Sequence, residues 1–381
     1  MLLTNPCTND ARVIKEAMTL AGSGYDVRIL ATMGNKTPTI EHLEGIVIKR
    51  IRKKFQSNTL LGKIEFTLKF TFAAVREKAN IYHAHDLSTL LECYIASRIN
   101  RSRLVYDAHE LFADPTKSRL AAFLYSILEK HLIKKADLVI TVDNYRSNVL
   151  ATTYKLKSLP MFLMNVPPLK PLQLGADHAA SVTPEDISRL KKNRRIILHQ
   201  GTIQAGRGGG MGLAELVESM KYLDDQYYLL MVGDGPLRED LQKMAVEMDV
   251  DQRISFTGMV SLTRLPDYTR LADIGVIVFK NTCLDYYYAS PNKLFEYIHA
   301  NVPVLAPDYP LLKEIVEKYG IGVLIDKIEP EEIAAKIKLA FSDMNNYRRM
   351  KENTGVAKRE LNWENEERKL IGAYQALITK P

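Results

Sequence analysis

Ile196-Ile197-Leu198-His199-Gln200-Gly201-Thr202-Ile203-Gln204-Ala205-Gly206-Arg207-Gly208-Gly209-Gly210 passes from a short apolar run into a loop with five glycines. A helical pattern over residues 213–221 follows. Strand, loop and amphipathic helix together make half of a strand–helix–strand unit. The same alternation extends in both directions. Strand-like runs fall at residues 27–31, 46–48, 81–84, 104–106 and 138–142, and again at 228–232, 254–257, 274–279, 302–306 and 322–325. Helical patterns fill gaps between them, for example 11–21, 118–134, 237–248 and 330–341. Regular alternation predicts an α/β fold of parallel, doubly wound sheets with helices on both faces.

The alternation breaks once. Asn165-Val166-Pro167-Pro168-Leu169-Lys170-Pro171 holds three prolines, which remove N–H donors and fix φ, and a weakly patterned stretch continues to Asn193. A chain of 381 residues is long for one core. The expected organisation is a first domain over residues 1–165, a connection over 166–193, a second domain over 194–358 and a terminal helix over 359–381. Ligands on such sheets sit beyond the carboxyl ends of the strands, so two facing domains are expected to hold their site in a cleft.

Composition bounds the function. Hydrophobic content of 46% and charged content of 25% describe a globular protein. Cys7, Cys93 and Cys283 are scattered and show no metal-ligand spacing, which suits a reducing cytosol. No stretch of 18 apolar residues is present, and the first residues lack the basic and apolar regions of a signal peptide. The net charge of +7 is uneven: residues 1–165 hold 24 Lys and Arg against 15 Asp and Glu, a net +9, which leaves −2 for the rest. The densest point is Lys49-Arg50-Ile51-Arg52-Lys53-Lys54, ahead of Leu61, Ile64, Leu68, Phe72 and Val75 at helical spacing. The run reads either as an anchor on anionic lipid or as a solvated strand end before a core-facing helix. No recognition motif accompanies the charge, so nucleic acid is not an expected partner.

Several segments after predicted strands carry chemistry. Ser290-Pro291-Asn292-Lys293-Leu294-Phe295-Glu296 turns from loop into helix at Pro291. A helix N-terminus offers unpaired N–H groups to an anion; Lys293 adds a charge, and Glu296, three residues on, shares its face. The combination suits a nucleoside diphosphate, cation to phosphate and carboxylate to ribose; a solvated ion pair is the plainer alternative. Arg207 offers a bidentate phosphate donor in the glycine loop. Asp107-Ala108-His109-Glu110, Gly233-Asp234-Gly235-Pro236 and Gly258-Met259-Val260 also follow strands. Asp249-Val250-Asp251 has the form of a metal motif but lies among surface charges between a helix and a strand, and no metal ligand is assigned. A phosphate-binding NTPase loop, a serine-hydrolase elbow and a zincin helix are all absent.

Taken in order, these motifs resemble a retaining glycosyltransferase of family 4 (group 1), over almost the whole chain. The resemblance rests on Asn9-Asp10-Ala11-Arg12-Val13-Ile14-Lys15-Glu16-Ala17, His83-Ala84-His85-Asp86, Asp107-Ala108-His109-Glu110 and the 201–208 loop. It continues through Gly233-Asp234-Gly235, Phe256-Thr257-Gly258-Met259-Val260, residues 290–296 and Asn362-Trp363-Glu364. It implies the GT-B fold, two facing Rossmann-like domains, with the last helix returning to the first. It implies a UDP- or GDP-sugar donor on the second domain, contacted by Gly201, Thr202, Gly233, Gly235, Gly258, Met259, Val260, Ser290, Pro291, Asn292, Leu294 and Glu296. His109, Arg207 and Lys293 become the catalytic residues; Asn5, Asn9, Asp10 and His85 line the acceptor side. Arg207 stands where the family usually has Lys. Two departures concern the sugar and the phosphate: Tyr288 replaces a carboxylate eight positions before Glu296, and Thr202 replaces an arginine.

The activity implied is metal-independent sugar transfer with retention, with no cofactor. It would act on a glycan or lipid-linked acceptor in surface polysaccharide or glycoconjugate synthesis, in the cytoplasm or on the inner membrane face. A nucleotide-sugar epimerase and a non-catalytic nucleotide-sugar-binding protein are the competing readings.

Overall fold

A computed structural model of the chain describes residues 1–8, 10–35, 37–55, 59–111, 119–170, 182–191, 193–206 and 209–379, with backbone alone for 119–124. It divides into two compact units, Met1–Asn165 with Glu366–Pro381, and Val166–Asn365.

The first unit is built on strands β1 (Val27–Thr32), β2 (Ile40–Leu43), β3 (Ile46–Ile51), β4 (Ile81–His85), β5 (Arg103–Ala108), β6 (Leu138–Thr141) and β7 (Met161–Phe162). They hydrogen-bond in the orders β1-β3-β2 and β4-β5-β6-β7, parallel except for the β2–β3 hairpin. Leu2 bridges Leu30 of β1 and Ala84 of β4, both in parallel sense, and so joins the two groups. In β3 burial alternates along the strand, whereas Leu104 to Ala108 of β5 are all buried, as in a sheet covered on both faces. Among the helices, α1 (Ala11–Gly22) starts where the Asp10 carboxylate accepts the Val13 N–H, and α2 (Leu60–Glu77) where the Thr59 hydroxyl accepts that of Gly62. Helices α3 (Leu87–Asn100), α4 (Arg119–Leu132) and α5 (Asn144–Tyr154) follow β4, β5 and β6. The last helix, α15 (Trp363–Thr379), contributes Tyr374, whose hydroxyl meets His83 Nδ1 at 2.7 Å.

Helix α2 departs from its core-facing reading. Gly62, Phe66, Phe70 and Ala74 form its buried face, while Leu61, Ile64, Leu68 and Phe72 point to solvent. The basic run before it is not uniform either. Arg50 is buried and donates to the Pro6 and Pro38 carbonyls, and Lys49 pairs with Glu77 at 2.6 Å. Both are fixed by internal partners and cannot serve as free cations. No described helix is long and apolar enough to cross a membrane.

Among the described residues, the second unit holds six parallel strands: β8 (Arg195–Gln200), β9 (Tyr227–Val232), β10 (Ile254–Phe256), β11 (Ile274–Val276), β12 (Val304–Pro307) and β13 (Gly322–Ile325). Their order is β10-β9-β8-β11-β12-β13, so the direction of winding reverses between β8 and β11. That reversal is the topological switch point at which doubly wound sheets open a crevice. Strand β9 is buried at every residue, and Ile197, Leu229, Val276 and Leu305 join one apolar core with α7 (Leu213–Ser219) and α13 (Pro330–Ser342). Gly275 leaves room for the Tyr297 ring, whose hydroxyl reaches the Leu198 carbonyl at 3.2 Å and seats α11 (Asn292–His299) on the sheet.

Candidate donor site and a histidine–carboxylate cluster

The loops after β8, β9 and β10 meet at the carboxyl end of the second unit's sheet. Gly201 N–H donates to the Val232 carbonyl, and Gly233 N–H to that of Gly258. Gly233 (φ 137°) must be glycine there, since a Cβ would run into the Gly201 carbonyl oxygen. Ile203 N–H donates to the Asp234 carbonyl, which fixes the two turns on each other, and within the second turn Gly235 N–H donates to the Asp234 carboxylate at 2.8 Å. Met259 is exposed beside Gly258 and Val260.

Helix α11 begins at the same end. Pro291 is its N-cap, in extended conformation, and among the described residues its own side chain makes no capping hydrogen bond to the first turn. Lys293 in that turn lies against Gly201, its ammonium 3.5 Å from where a Cβ would stand. Burial pulls the Lys293 pKa down to about 8 against the opposing pull of Glu296. The Ser290 hydroxyl, immediately ahead of the helix, is buried with no hydrogen-bond partner among the described residues. Glu296 accepts a short hydrogen bond from Gln200 Nε2, and Gln200 Oε1 accepts from the Thr269 hydroxyl at 2.9 Å. Gln200, the last residue of β8, therefore aims the carboxylate. It was not among the expected site residues, and its place directly before Gly201 was the available signal.

These contacts bring Gly201, Gly233, Gly235, Gly258, Lys293 and Glu296 to one end of one sheet, with Thr202, Val260, Ser290, Asn292 and Leu294 adjoining them in sequence. Arg207 lies outside the described residues. Tyr288 ends α10 (Leu284–Tyr287), its ring edge-on to Tyr287 at 4.9 Å.

The first unit has a cluster of its own around Asp107 at the end of β5. Arg12 of α1 grips this carboxylate with two bonds of 2.8 Å, donates to the Leu163 carbonyl at 2.7 Å, and lies 3.1 Å from Glu16. His109 Nε2 is 2.9 Å from Asp107, and its Nδ1 is 3.4 Å from Asp86. Asp86 also accepts the His109 N–H at 3.0 Å, from a backbone at φ 65° that is costly for any residue with a Cβ. Burial opposes charge on His109, but Asp86 and Asp107 outweigh it and push its pKa up to about 9. Asp107 stays well below the usual carboxylate range, because Arg12 and His109 overcome the effect of burial. With a carboxylate at each ring nitrogen, His109 is a fixed imidazolium and not a free base.

His85, expected on the acceptor side, is buried; its Nδ1 lies 3.3 Å from His109 Nε2 and 3.4 Å from Asp107. Its ring stacks on His83 at 4.2 Å, and burial lowers the pKa of both. Asn5 donates to the Asp10 carboxylate at 2.8 Å and accepts the Cys7 N–H at 2.7 Å, so the Asn5–Asp10 pair braces its own loop and the start of α1. Asn9 lies outside the described residues. Glu16, His83, His85 and Asp107 place donor atoms within 4.8 Å of one another, a metal-like grouping. Arg12 already holds both Asp107 oxygens and neighbours Glu16, so a guanidinium supplies the positive charge that an ion would bring. Asp249-Val250-Asp251 forms the turn between α8 (Arg238–Glu247) and β10.

Residues 12–161 match the model of Glycosyltransferase Family 4, and residues 185–355 that of Glycosyl transferases group 1. The chain belongs to the group 1 glycosyltransferases. Alpha-D-kanosaminyltransferase of Streptomyces kanamyceticus is 24% identical over 161 residues, 42% of this chain and 40% of that protein. A GDP-mannose-dependent alpha-(1-6)-phosphatidylinositol monomannoside mannosyltransferase of Mycobacterium tuberculosis is 28% identical over 129 residues, 34% of each chain. The matched segment thus spans well under half of either relative. Among solved structures, sucrose-phosphate synthase from Thermosynechococcus elongatus is similar with a TM-score of 0.76 at 16% identity, over 99% of this chain and 98% of that one. Anabaena HepE in complex with UDP and glucose gives 0.74 at 16%, over 98% of each. At such identities the likeness is one of fold: two Rossmann-like domains of the GT-B class.

Proposed function

We propose that this group 1 chain transfers a sugar from a UDP- or GDP-sugar to a glycan or lipid-linked acceptor, with retention at the anomeric carbon and without a metal. The observation that carries the reading is the start of α11 at the switch point, where Lys293, a Ser290 hydroxyl without a partner among the described residues and a first turn that Pro291 leaves without a side-chain cap come together. A diphosphate fits there: it would accept from the turn's N–H groups and from Ser290, and hold Lys293 in its charged form. Glu296, aimed by Gln200, suits paired ribose hydroxyls. A neighbour in fold was crystallised with UDP, and a relative is named as GDP-mannose-dependent, which supports a nucleoside diphosphate sugar.

Bond cleavage leaves negative charge on the departing diphosphate. Lys293 and Arg207 would neutralise it, a kind of stabilisation worth about 100- to 1000-fold per donor. His109, a fixed cation whose ring nitrogens face Asp107 and Asp86, would act through its positive charge and would not abstract a proton. The leaving phosphate then takes the acceptor proton on the same face, as in the family. Tyr288, in place of the usual carboxylate, offers the donor sugar a neutral hydroxyl and an aromatic edge, and so selects among sugars.

The test is a screen of UDP- and GDP-sugars against glycan and lipid-linked acceptors, with EDTA present and products followed by NMR. The expected result is an α-linked product from an α-linked donor, together with free nucleoside diphosphate. An epimerised nucleotide sugar formed without acceptor, or turnover only on addition of a divalent metal, would contradict the proposal.

A further inference from the structure

Helix α2 has two apolar faces, and the protein covers one. Gly62, Phe66, Phe70 and Ala74 pack inward, with the Phe66 and Phe70 rings stacked at 4.0 Å. Leu60, Leu61, Ile64, Leu68 and Phe72 point out, between 47% and 74% exposed. At 100° per residue these five fall within an arc of about 120°, opposite the buried face. Phe55, also exposed, is tied alongside, since the Lys54 and Phe55 N–H groups donate to Glu65. Apolar side chains scattered singly over a surface need no explanation, but a contiguous helical face of them does.

The charges around this face point to its occupant. Arg52, Lys54, Lys63 and Arg76 are exposed at its rim, with the Arg76 guanidinium 4.1 Å from the centre of the Phe72 ring. The acidic residues of the helix are engaged elsewhere: Glu65 with Lys69 at 2.7 Å, Glu77 with Lys49 and Arg28 at 2.6 and 2.9 Å. An apolar ridge with a cationic rim complements an anionic bilayer. A second copy of the same face would set cation against cation.

We propose that α2 docks the first unit on an anionic membrane, with Leu60, Leu61, Ile64, Leu68 and Phe72 among the acyl chains and the four rim cations at the phosphates. The inference goes beyond the proposed transfer and does not depend on it. The basic run 49–54 anchors only through its exposed members, since Lys49 and Arg50 are bound within the protein.

Vesicle flotation tests this. The wild type is expected to float with vesicles containing phosphatidylglycerol and not with pure phosphatidylcholine. The triple variant Ile64→Ser, Leu68→Ser, Phe72→Ser should bind at least about tenfold more weakly at low and high salt alike. Replacing Arg52, Lys54, Lys63 and Arg76 by Gln should cost about fivefold per residue at low salt and little at high salt. All seven residues are exposed, so melting temperatures should match the wild type. A wild type that stays unbound, or a triple variant that floats as well as the wild type, overturns the proposal. So does a wild-type dimer that the triple variant dissolves, which would assign the face to self-association. A triple variant that fails to fold leaves the decision to the Gln variant, whose unchanged binding at low salt would equally refute it.

Discussion

His109 shows how a single residue takes its chemistry from its neighbours. Asp107 and Asp86 face its two ring nitrogens, and Arg12 keeps Asp107 ionised. The sign of the linkage follows. The folded-state pKa of about 9 lies above the ordinary 6.5, so the stability from this ionisation is complete below about 6.5 and lost as pH rises towards 9. Turnover that needs the imidazolium should fall over the alkaline end of the same window. His109→Ala is expected to lower kcat at least about a hundredfold while nucleotide affinity stays near wild type, and to remove the alkaline limb near pH 9 from what activity remains. Steady-state rates across pH with calorimetry on the variant check this. Equal losses in affinity and rate would place His109 in nucleotide binding, and a fully active variant would make it structural. His109 could be picked out from its place after a strand. Its charge could not, because Arg12, Asp86 and Asp107 come together only through the fold, and Asp86 does so from a left-handed backbone.

Among elements, the switch point does most to build the proposed donor site. Strands with continuous apolar runs, such as β8 and β9, are legible locally because both faces are buried. The Gly201 and Gly233 turns are legible from their glycines. The edge elements are not: β2 pairs with β3 through a two-residue turn at Glu44-Gly45, where Glu44 adopts φ 45° in place of the Asn or Asp that usually signals such a hairpin. The spacing on α2 revealed an apolar face but not which face met the core, since Phe66 and Phe70 follow the same helical period as Ile64 and Leu68. Gly233→Ala tests the element account. The added Cβ would push the β8 and β9 loops apart, so nucleotide affinity should drop by about tenfold or more while the far-UV circular dichroism stays native, because strain at a positive-φ site costs about 1–3 kcal/mol. Unchanged affinity would mean that the two turns do not shape the site.

At the scale of the whole molecule, each unit carries one chemical theme: a buried ion-pair network in the first, a helix start with a half-buried lysine in the second. The two-domain reading follows from the proline-rich stretch at 165–171, and the first segment of the first unit runs from Met1 to Asn165. The last helix joins the first unit from Glu366, through Glu366 to the Met164 N–H at 3.0 Å and Tyr374 to His83. Contacts over such sequence separations have no local signature, and the resemblance alone suggested them. The central claim is that the second unit's switch point holds a nucleoside diphosphate, and calorimetric titration of the full chain with UDP and with GDP in EDTA tests it most directly. One of the two should bind, with a loss of about tenfold to a hundredfold on Glu296→Ala, as for a hydrogen bond to a charged group, and a comparable loss on Lys293→Ala. If neither nucleotide binds, or both variants bind as tightly as the wild type, the donor site is not where α11 begins.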